Sequence, residues 1–181
     1  MLTRADQTVA DGPAVLDEVR ELGLTHIGMK DVGVEPAVLA DLHRRIKDLG
    51  ATSYLEVVST TPEACLASAA TARSIGIDRL LGGTQVEPVL AILAGSATAY
   101  LPFPGRPFDH PTRLGGSPDD VARDCRRFAA LGCAGVDLLA YRATEAAPLD
   151  LVRAARAATT GVLLVAGGIA APAQIAALAA A

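Results

Sequence analysis

Lys30 and Glu56 are the residues whose types and positions first point to chemistry. Lys30 ends the segment 25–30 and is one of two lysines among 16 lysines and arginines. Glu56 lies in the apolar segment 52–58, where burying a carboxylate is costly unless the group has a partner. If the two segments are neighbouring strands, side chains at alternate positions share a face, so Lys30 and Glu56 can meet. A carboxylate base beside an ammonium group is the arrangement that proton abstraction next to a carbonyl requires.

Other interpretations of these two residues stay open. The Lys30 amine can form a Schiff base with a substrate carbonyl. Alternatively, Lys30 pairs with Asp31 or Glu56 as a structural salt bridge, and Glu56 then serves only to set the strand register.

The remaining candidate side chains also follow apolar segments. Arg142 follows a predicted strand, and its guanidinium group suits a carboxylate or a phosphate. Ser59 is a candidate for the same substrate-binding or phosphate-binding role. Asp6 and Asp31 are further candidates, with a loop salt bridge as the alternative role for Asp6.

The segment 102–116 is the longest irregular stretch of the sequence and is rich in proline and glycine. Long loops in compact domains are often binding loops or lids. We therefore predict that this segment covers an active site, with His110 or Arg113 reaching the ligand. A solvated loop histidine is the alternative for His110.

These positions depend on alternating strands and helices. Apolar, β-suited segments predict seven strands, at 1–4, 25–30, 52–58, 79–81, 97–102, 135–141 and 162–166. Helical patterns, most of which begin at a proline, predict helices at 13–22, 36–49, 62–75, 86–93, 118–131, 148–158 and 172–180. Ser117 is the predicted N-cap of the fifth helix. Such alternation is typical of an α/β fold with a parallel sheet covered by helices.

Two architectures compete for this pattern, an open doubly wound sheet and a (β/α)8 TIM barrel. The sequence contains no G-x-x-x-x-G-K-[ST] motif, and its first turns contain no G-x-G-x-x-G motif, which removes the best-known reasons to choose the open sheet. The polar residues at the C-terminal ends of the strands favour the barrel, because barrel enzymes build their active sites there. We therefore predict a single (β/α) barrel domain over residues 1–181 with seven visible strands, truncated before an eighth. An unclosed barrel exposes two sheet edges, which predicts a homo-oligomer.

The segment 165–169, V-A-G-G-I, followed by A-P-A-Q-I at 171–175, resembles the phosphate-binding (ribulose-phosphate-binding) TIM-barrel superfamily. That superfamily includes the histidine-biosynthesis isomerases, thiazole synthase, indole-glycerol-phosphate synthase and the keto-acid-phosphate aldolases. In it, the glycine-rich turn after strand seven and the helix that follows hold a substrate phosphate. The resemblance implies that Gly167 and Gly168 bind phosphate, since glycines let backbone N–H groups approach an anion and the helix start is positively polarised. The second phosphate-binding turn of the superfamily would follow Ala181.

Taken together, these features predict an isomerase or an aldolase/lyase-type enzyme that acts on a small phosphorylated sugar or keto compound, through enolisation or Schiff-base chemistry. No cofactor and no metal are expected. One alternative is a barrel oxidoreductase in which the same glycines hold the phosphate of FMN. Another is a non-catalytic, truncated barrel that binds a ligand or associates with itself.

Composition excludes other classes of protein. The net charge is −4, and the chain has no Trp and only three Tyr and three Phe, so it lacks the basic field and the stacking platforms of nucleic-acid binders. The uncharged segment 157–181 is interrupted by Gly161, by Gly167 and Gly168, and by Pro172, which argues against a membrane span. We expect a cytoplasmic protein with reduced thiols, because the three cysteines form no C-x-x-C motif and the charged N-terminus is no signal peptide.

Overall fold

The computed structural model describes residues 1–58 and 61–181. The chain divides into two compact units, Met1–Ala99 and Tyr100–Ala181. Both units alternate strands with helices, as the sequence predicts. The single domain over residues 1–181 stays a prediction.

The first unit begins with a hairpin and continues with strand and helix in turn. Its elements are β1 (Thr3–Arg4), β2 (Gln7–Thr8), α1 (Gly12–Glu18), β3 (His26–Lys30), α2 (Pro36–Asp48), β4 (Thr52–Val57), α3 (Pro62–Ile75), β5 (Arg79–Gly82) and α4 (Val86–Leu93). The next strand is β6 (Ala99–Leu101), and the division between the units falls inside it. The main sheet has the order β3-β4-β5-β6, whereas β1 and β2 form a separate antiparallel pair.

The register of β3 and β4 decides which side chains share a face of the sheet. The two strands are parallel, and Lys30 lies directly opposite Glu56. Because side chains alternate along a strand, the opposite face carries Met29 and Leu55, which are fully buried. Helices α2 and α3 both contact β4. Small residues are buried along α3 at helical spacing, namely Cys65, Ala69 and Ala72.

The second unit also begins with a hairpin. Its elements are β7 (Arg106–Phe108), β8 (Arg113–Gly115), α5 (Pro118–Ala130), β9 (Gly135–Leu138), a 3-10 turn (Ala140–Arg142), α6 (Pro148–Ala158), β10 (Val162–Val165) and α7 (Pro172–Ala179). Strands β9 and β10 pair in parallel, and β7 and β8 pair antiparallel.

The start of α5 confirms the predicted N-cap. The Ser117 hydroxyl accepts a hydrogen bond from the N–H of Asp120 at 3.2 Å, and the Asp120 carboxylate accepts one from the N–H of Ser117 at 2.9 Å. This reciprocal pair satisfies two of the N–H groups that a helix start leaves without helical partners. From there, α5 buries Val121, Cys125 and Phe128 at helical spacing.

Six of the seven predicted helices agree with the structure to within one residue at each end. Three other predictions are wrong. The segment 1–4 is no strand of the parallel sheet, because Thr3–Arg4 folds back onto Gln7–Thr8. The segment 102–116 is not irregular, since it contains the hairpin β7–β8. Strand β9 ends at Leu138 rather than at residue 141, so Arg142 lies in a 3-10 turn.

The chain therefore has a mixed α/β fold with parallel strand pairing and, over the described ranges, seven α-helices. Closure into a barrel stays a prediction, whereas the predicted set of seven parallel strands is not confirmed, because segment 1–4 pairs antiparallel with Gln7–Thr8. Among the helices of these ranges, none is both long enough and apolar enough to cross a membrane.

Candidate functional site

Lys30, at the C-terminal end of β3, lies between the carboxylates of Asp6 and Glu56. Glu56 lies near the C-terminal end of the neighbouring strand β4. The Nζ of Lys30 donates a hydrogen bond to Oδ1 of Asp6 at 2.5 Å and lies 3.5 Å from Oε1 of Glu56. The exposed fractions of the three side chains are 7% for Lys30, 10% for Asp6 and 11% for Glu56. Buried charges of this kind need opposite charges beside them. The structure thus brings together Lys30, Glu56 and Asp6, all three of which the sequence offers as candidates.

Asp6 reaches Lys30 because β1 and β2 form a tight hairpin. The turn residues Ala5 and Asp6 have φ angles of 49° and 65°, a left-handed conformation that aspartate adopts more readily than most residues. The backbone N–H of Leu2 donates to the carbonyl of Gly28 at 2.7 Å, which ties the hairpin to β3. Asp6 therefore forms a salt bridge, which is one of the two roles predicted for it. Its partner in this salt bridge is the Lys30 amine.

Asp31 is held by groups other than the Lys30 amine. Its Oδ1 accepts a hydrogen bond from the N–H of Val58 at 3.0 Å, and its Oδ2 accepts one from the hydroxyl of Ser68 at 2.6 Å. Burial raises the pKa of Asp31, and this effect exceeds the opposing effects of the two hydrogen bonds and of the Lys30 charge. Asp31 thus connects the end of β4 to α3, and no ion pair joins it to Lys30 among the salt bridges of the described residues.

The stability of an Asp31→Asn variant, compared with that of the unchanged protein, is expected to increase as the pH rises. The folded-state pKa of Asp31 lies above its ordinary value of 3.8. A group of this kind stabilises the fold below its unfolded-state pKa, and the contribution is lost as the pH rises through the folded-state pKa. The free energy of unfolding of D31N minus that of the unchanged protein should therefore increase as the pH rises above 3.8, the ordinary pKa of this carboxyl group.

Urea unfolding at several pH values measures this difference. Asp11→Asn is the matched control, because Asp11 is exposed and makes no side-chain hydrogen bond to the helix start that follows it. A difference between D31N and the unchanged protein that stays constant or falls with pH would contradict the prediction.

In the second unit, the turn after β10 is a candidate anion site. Gly167 and Gly168 have φ angles of 103° and 97°, which favour glycine. A Cβ atom at Gly167 would lie 2.9 Å from Cγ of Arg142, so a glycine is needed for Arg142 to pack against the turn. A Cβ at Gly168 would meet no heavy atom within 4 Å, so the Gly168 backbone borders open space. The structure thus brings together Arg142, Gly167 and Gly168, three of the four residues that the sequence assigns to substrate or phosphate binding.

The hydrogen bonds of this turn decide which amides an anion can meet. The N–H groups of Ala170 and Ala171 both donate to Oε1 of Gln174, at 2.7 and 2.9 Å. Within the described ranges, the N–H groups of Gly167 and Gly168 donate no hydrogen bond. Gln174 therefore occupies the N–H groups of the two residues just before α7, and the amides of Gly167 and Gly168 remain for an anion.

The other predicted residues lie elsewhere. His110 is exposed between β7 and β8. Arg113 has partners within its own hairpin, since its Nη1 lies 3.5 Å from Oδ2 of Asp109 and its guanidinium lies 5.2 Å from the ring centre of Phe108. Ser59 lies outside the described residues. The ligand-binding roles of all three stay predictions.

Metal-ligand clusters are not found in the part of the chain that the structure describes, and two of the three cysteines carry no activated thiol. No group of three or more His, Cys, Asp and Glu side chains there is arranged to hold a metal ion. Cys65 and Cys125 are buried, and burial raises the pKa of Cys65 and raises that of Cys125 to about 11. Both thiols therefore stay protonated near neutral pH, which makes them poor nucleophiles.

Sequence reasoning missed Thr8 and Gly33, which hold the hairpin against the end of β3. The Thr8 hydroxyl makes two hydrogen bonds with the backbone of Lys30. A Cβ atom at Gly33 would lie 2.6 Å from the carbonyl oxygen of Thr8. Only a prediction that β1 and β2 turn back on themselves could have directed attention to either residue.

Comparisons with known proteins show the type of fold. No protein-family model matches the chain, and no curated protein matches it. A FabK mutant from Thermotoga maritima matches with a TM-score of 0.57 and 15% identity, over 81% of this chain and 46% of that one. A mandelate racemase/muconate lactonizing protein from Herpetosiphon aurantiacus matches with a TM-score of 0.58 and 19% identity, over 92% of this chain and 45% of that one.

Both solved structures are TIM-barrel enzymes, and the chain spans less than half the length of each. At these identities the likeness shows the fold alone, which is of the TIM-barrel type. It does not distinguish the phosphate-binding superfamily from other TIM barrels.

Proposed function

We propose that this protein is an enzyme that moves a proton next to the carbonyl group of a small phosphorylated sugar or keto compound, as an isomerase or a lyase. The observation that carries the proposal is the buried Lys30 amine between the carboxylates of Asp6 and Glu56, at the C-terminal ends of two parallel strands. Ionisable groups at the C-terminal ends of barrel strands are typical of TIM-barrel active sites.

Each of the three side chains has a role in the proposed reaction. Glu56 acts as the base and takes a proton from the carbon next to the substrate carbonyl, which leaves an enolate. The Lys30 ammonium donates a hydrogen bond to the enolate oxygen and so stabilises the negative charge that develops there. Asp6, at 2.5 Å from Nζ, orients the ammonium group. Return of the proton from Glu56 to the former carbonyl carbon, together with transfer of the hydroxyl proton of the neighbouring carbon to the enolate oxygen, completes an isomerisation.

The same contacts favour enolisation over a Schiff base. A Schiff base forms when a neutral amine attacks a carbonyl carbon. The Lys30 amine instead donates to the Asp6 carboxylate and has a second carboxylate within 3.5 Å. An ammonium group in this surrounding is suited to stabilising an enolate, so we assign Lys30 the role of electrophile.

Within the second unit, the turn after β10 is the proposed binding place for a phosphate group. Gly167 and Gly168 offer backbone N–H groups, and the guanidinium of Arg142 is of the type that binds phosphate with charge-assisted hydrogen bonds. The proposal requires neither a metal nor a cofactor.

Exchange of substrate hydrogen for deuterium in heavy water tests the proposed function directly. A panel of small phosphorylated ketones and aldehydes is incubated with the protein, and 1H NMR follows the signal of the hydrogen next to the carbonyl. Loss of that signal only in the presence of the protein is the expected result. A purified protein that is yellow and exchanges none of these hydrogens would support the FMN alternative, and a colourless protein without exchange would support the non-catalytic one.

Replacing Gly168 by aspartate is expected to weaken the binding of inorganic phosphate. The new carboxylate would repel the anion at short range, which should raise Kd about tenfold or more relative to Gly168→Ala. The alanine variant is the matched control, because both variants place a side chain at a φ of 97° but only one adds charge. Isothermal titration calorimetry measures both Kd values. Equal Kd values for G168D and G168A would place the phosphate site away from this turn.

A further inference from the structure

Thr8 holds both backbone polar groups of the residue that carries the candidate amine. Its Oγ1 accepts a hydrogen bond from the N–H of Lys30 and donates one to the carbonyl oxygen of Lys30, both at 2.7 Å. Thr8 is 3% exposed and Lys30 is 6% exposed, so water does not readily replace either bond. A single hydroxyl therefore fixes the peptide groups on both sides of the Lys30 Cα atom.

The direction of backbone groups in a strand explains why a hydroxyl is needed at this point. Successive residues of a strand direct their N–H and C=O groups to opposite edges. The N–H of Asp31 points to the β4 side, where it donates to the carbonyl of Glu56 at 3.1 Å. The polar groups of Lys30 face the other edge. There the Thr8 side chain supplies both partners that a buried backbone requires.

The hairpin around Thr8 is docked closely on the segment after β3. The N–H of Thr8 donates to the carbonyl of Val32 at 2.9 Å. A Cβ atom at Gly33 would lie 2.6 Å from the oxygen and 3.0 Å from the nitrogen of Thr8, so only a glycine permits this approach. The same hairpin carries Asp6, two residues before Thr8. The contacts of Thr8 therefore also fix where the Asp6 carboxylate meets the Lys30 amine.

We propose that Thr8 is the positioning residue for the Lys30 amine. Its hydroxyl sets the backbone from which the Lys30 side chain extends and, through the hairpin, the distance between Nζ and the Asp6 carboxylate. The effect on catalysis rests on the proposed function, whereas the effect on the accessibility of Lys30 does not.

Trace modification of the two lysines by acetic anhydride tests this role within one molecule. Lys30 and Lys47 are the only lysines of the chain, and Lys47 is an internal reference because its side chain is 45% exposed and lies outside the hairpin. Peptide mass spectrometry gives the ratio of modified Lys30 to modified Lys47. This ratio should be low in the unchanged protein.

Three variants separate the hydroxyl of Thr8 from other effects. Thr8→Val keeps the shape of the side chain and removes both hydrogen bonds, so the Lys30-to-Lys47 ratio should rise about tenfold. Thr8→Ser keeps the hydroxyl and should leave the ratio near that of the unchanged protein. Thr159→Val is the matched control in the other unit, since Thr159 is also buried and its hydroxyl accepts a hydrogen bond from Gly161 at 3.0 Å. It should not change the ratio.

Amide hydrogen exchange of the unchanged protein keeps the proposal testable if T8V does not fold. The Lys30 amide should exchange as slowly as the Asp31 amide, whose partner is a strand carbonyl. Fast exchange at Lys30 would overturn the proposal, as would an unchanged lysine ratio in a folded T8V.

Turnover separates this proposal from the proposed function. Where a substrate is found, T8V should lower kcat more than it changes KM, and T8S should restore kcat. A raised lysine ratio in T8V together with no activity of the unchanged protein would support the positioning role and reject the proposed function. An unchanged ratio in a folded T8V would reject the positioning role whatever the activity.

Discussion

Replacing Lys30 by methionine is expected to abolish deuterium exchange into the substrate and to lower the stability of the protein. The loss of an ammonium group that stabilises an enolate should lower the exchange rate by about 10³-fold. The variant also leaves the Asp6 and Glu56 carboxylates buried without the cation between them, which should lower the free energy of unfolding by about 3 kcal/mol. NMR exchange measures the first effect and urea unfolding the second.

Two further variants separate chemistry from stability. Adding Asp6→Asn to Lys30→Met removes one of the two unbalanced charges, so stability should partly return while exchange stays lost. Lys47→Met removes the only other lysine, whose ammonium forms an exposed ion pair with Asp78 at 2.8 Å, and should leave the exchange rate unchanged. Exchange that persists in K30M would remove Lys30 from the proposed mechanism.

Replacing Gly33 by alanine is expected to displace the hairpin that carries Asp6. The φ angle of Gly33 is 97°, which is strained for a residue with a Cβ atom. That atom would also lie 2.6 Å from a backbone oxygen of Thr8 and 2.8 Å from Cβ of Gln7, so the backbone has to move. The free energy of unfolding should fall by about 3 kcal/mol or more, and the Lys30 amine should become more reactive toward acetic anhydride.

Gly23→Ala is the matched control for this variant. Gly23 is also exposed, it has a φ of 60°, and its Cβ would meet no heavy atom within 4 Å. Only the left-handed conformation is then unfavourable, which costs about 1 kcal/mol. Urea unfolding compares the two variants, and equal losses would show that contact with the hairpin contributes nothing at Gly33.

The local elements were predictable because they depend on local preferences. Prolines at helix starts and glycines at helix ends place the helices, and six of them agree to within one residue. The shared face of Lys30 and Glu56 was predictable for a similar reason, since side chains in a strand alternate with a period of two. Two neighbouring parallel strands then needed only the right register to bring the residues together.

The ion partners of the candidate site were not predictable in this way. Asp6 and Lys30 are 24 residues apart, and their contact depends on a turn in which Ala5 and Asp6 adopt positive φ angles. The prediction of a parallel strand at 1–4 missed this turn, because a pattern of four residues does not distinguish a strand from half a hairpin. The role of Thr8 was missed with it.

The sequence by itself determined the alternation of strands and helices, the face that Lys30 and Glu56 share, and the glycine turn at Gly167 and Gly168. These features follow from preferences of neighbouring residues and from the geometry of single elements. Only the tertiary structure decided that the N-terminal hairpin docks on β3 and pairs Asp6 with Lys30, and that Arg142 packs on Gly167. Such contacts join residues distant in the chain, and they depend on how closely two backbones can approach, which no local pattern records.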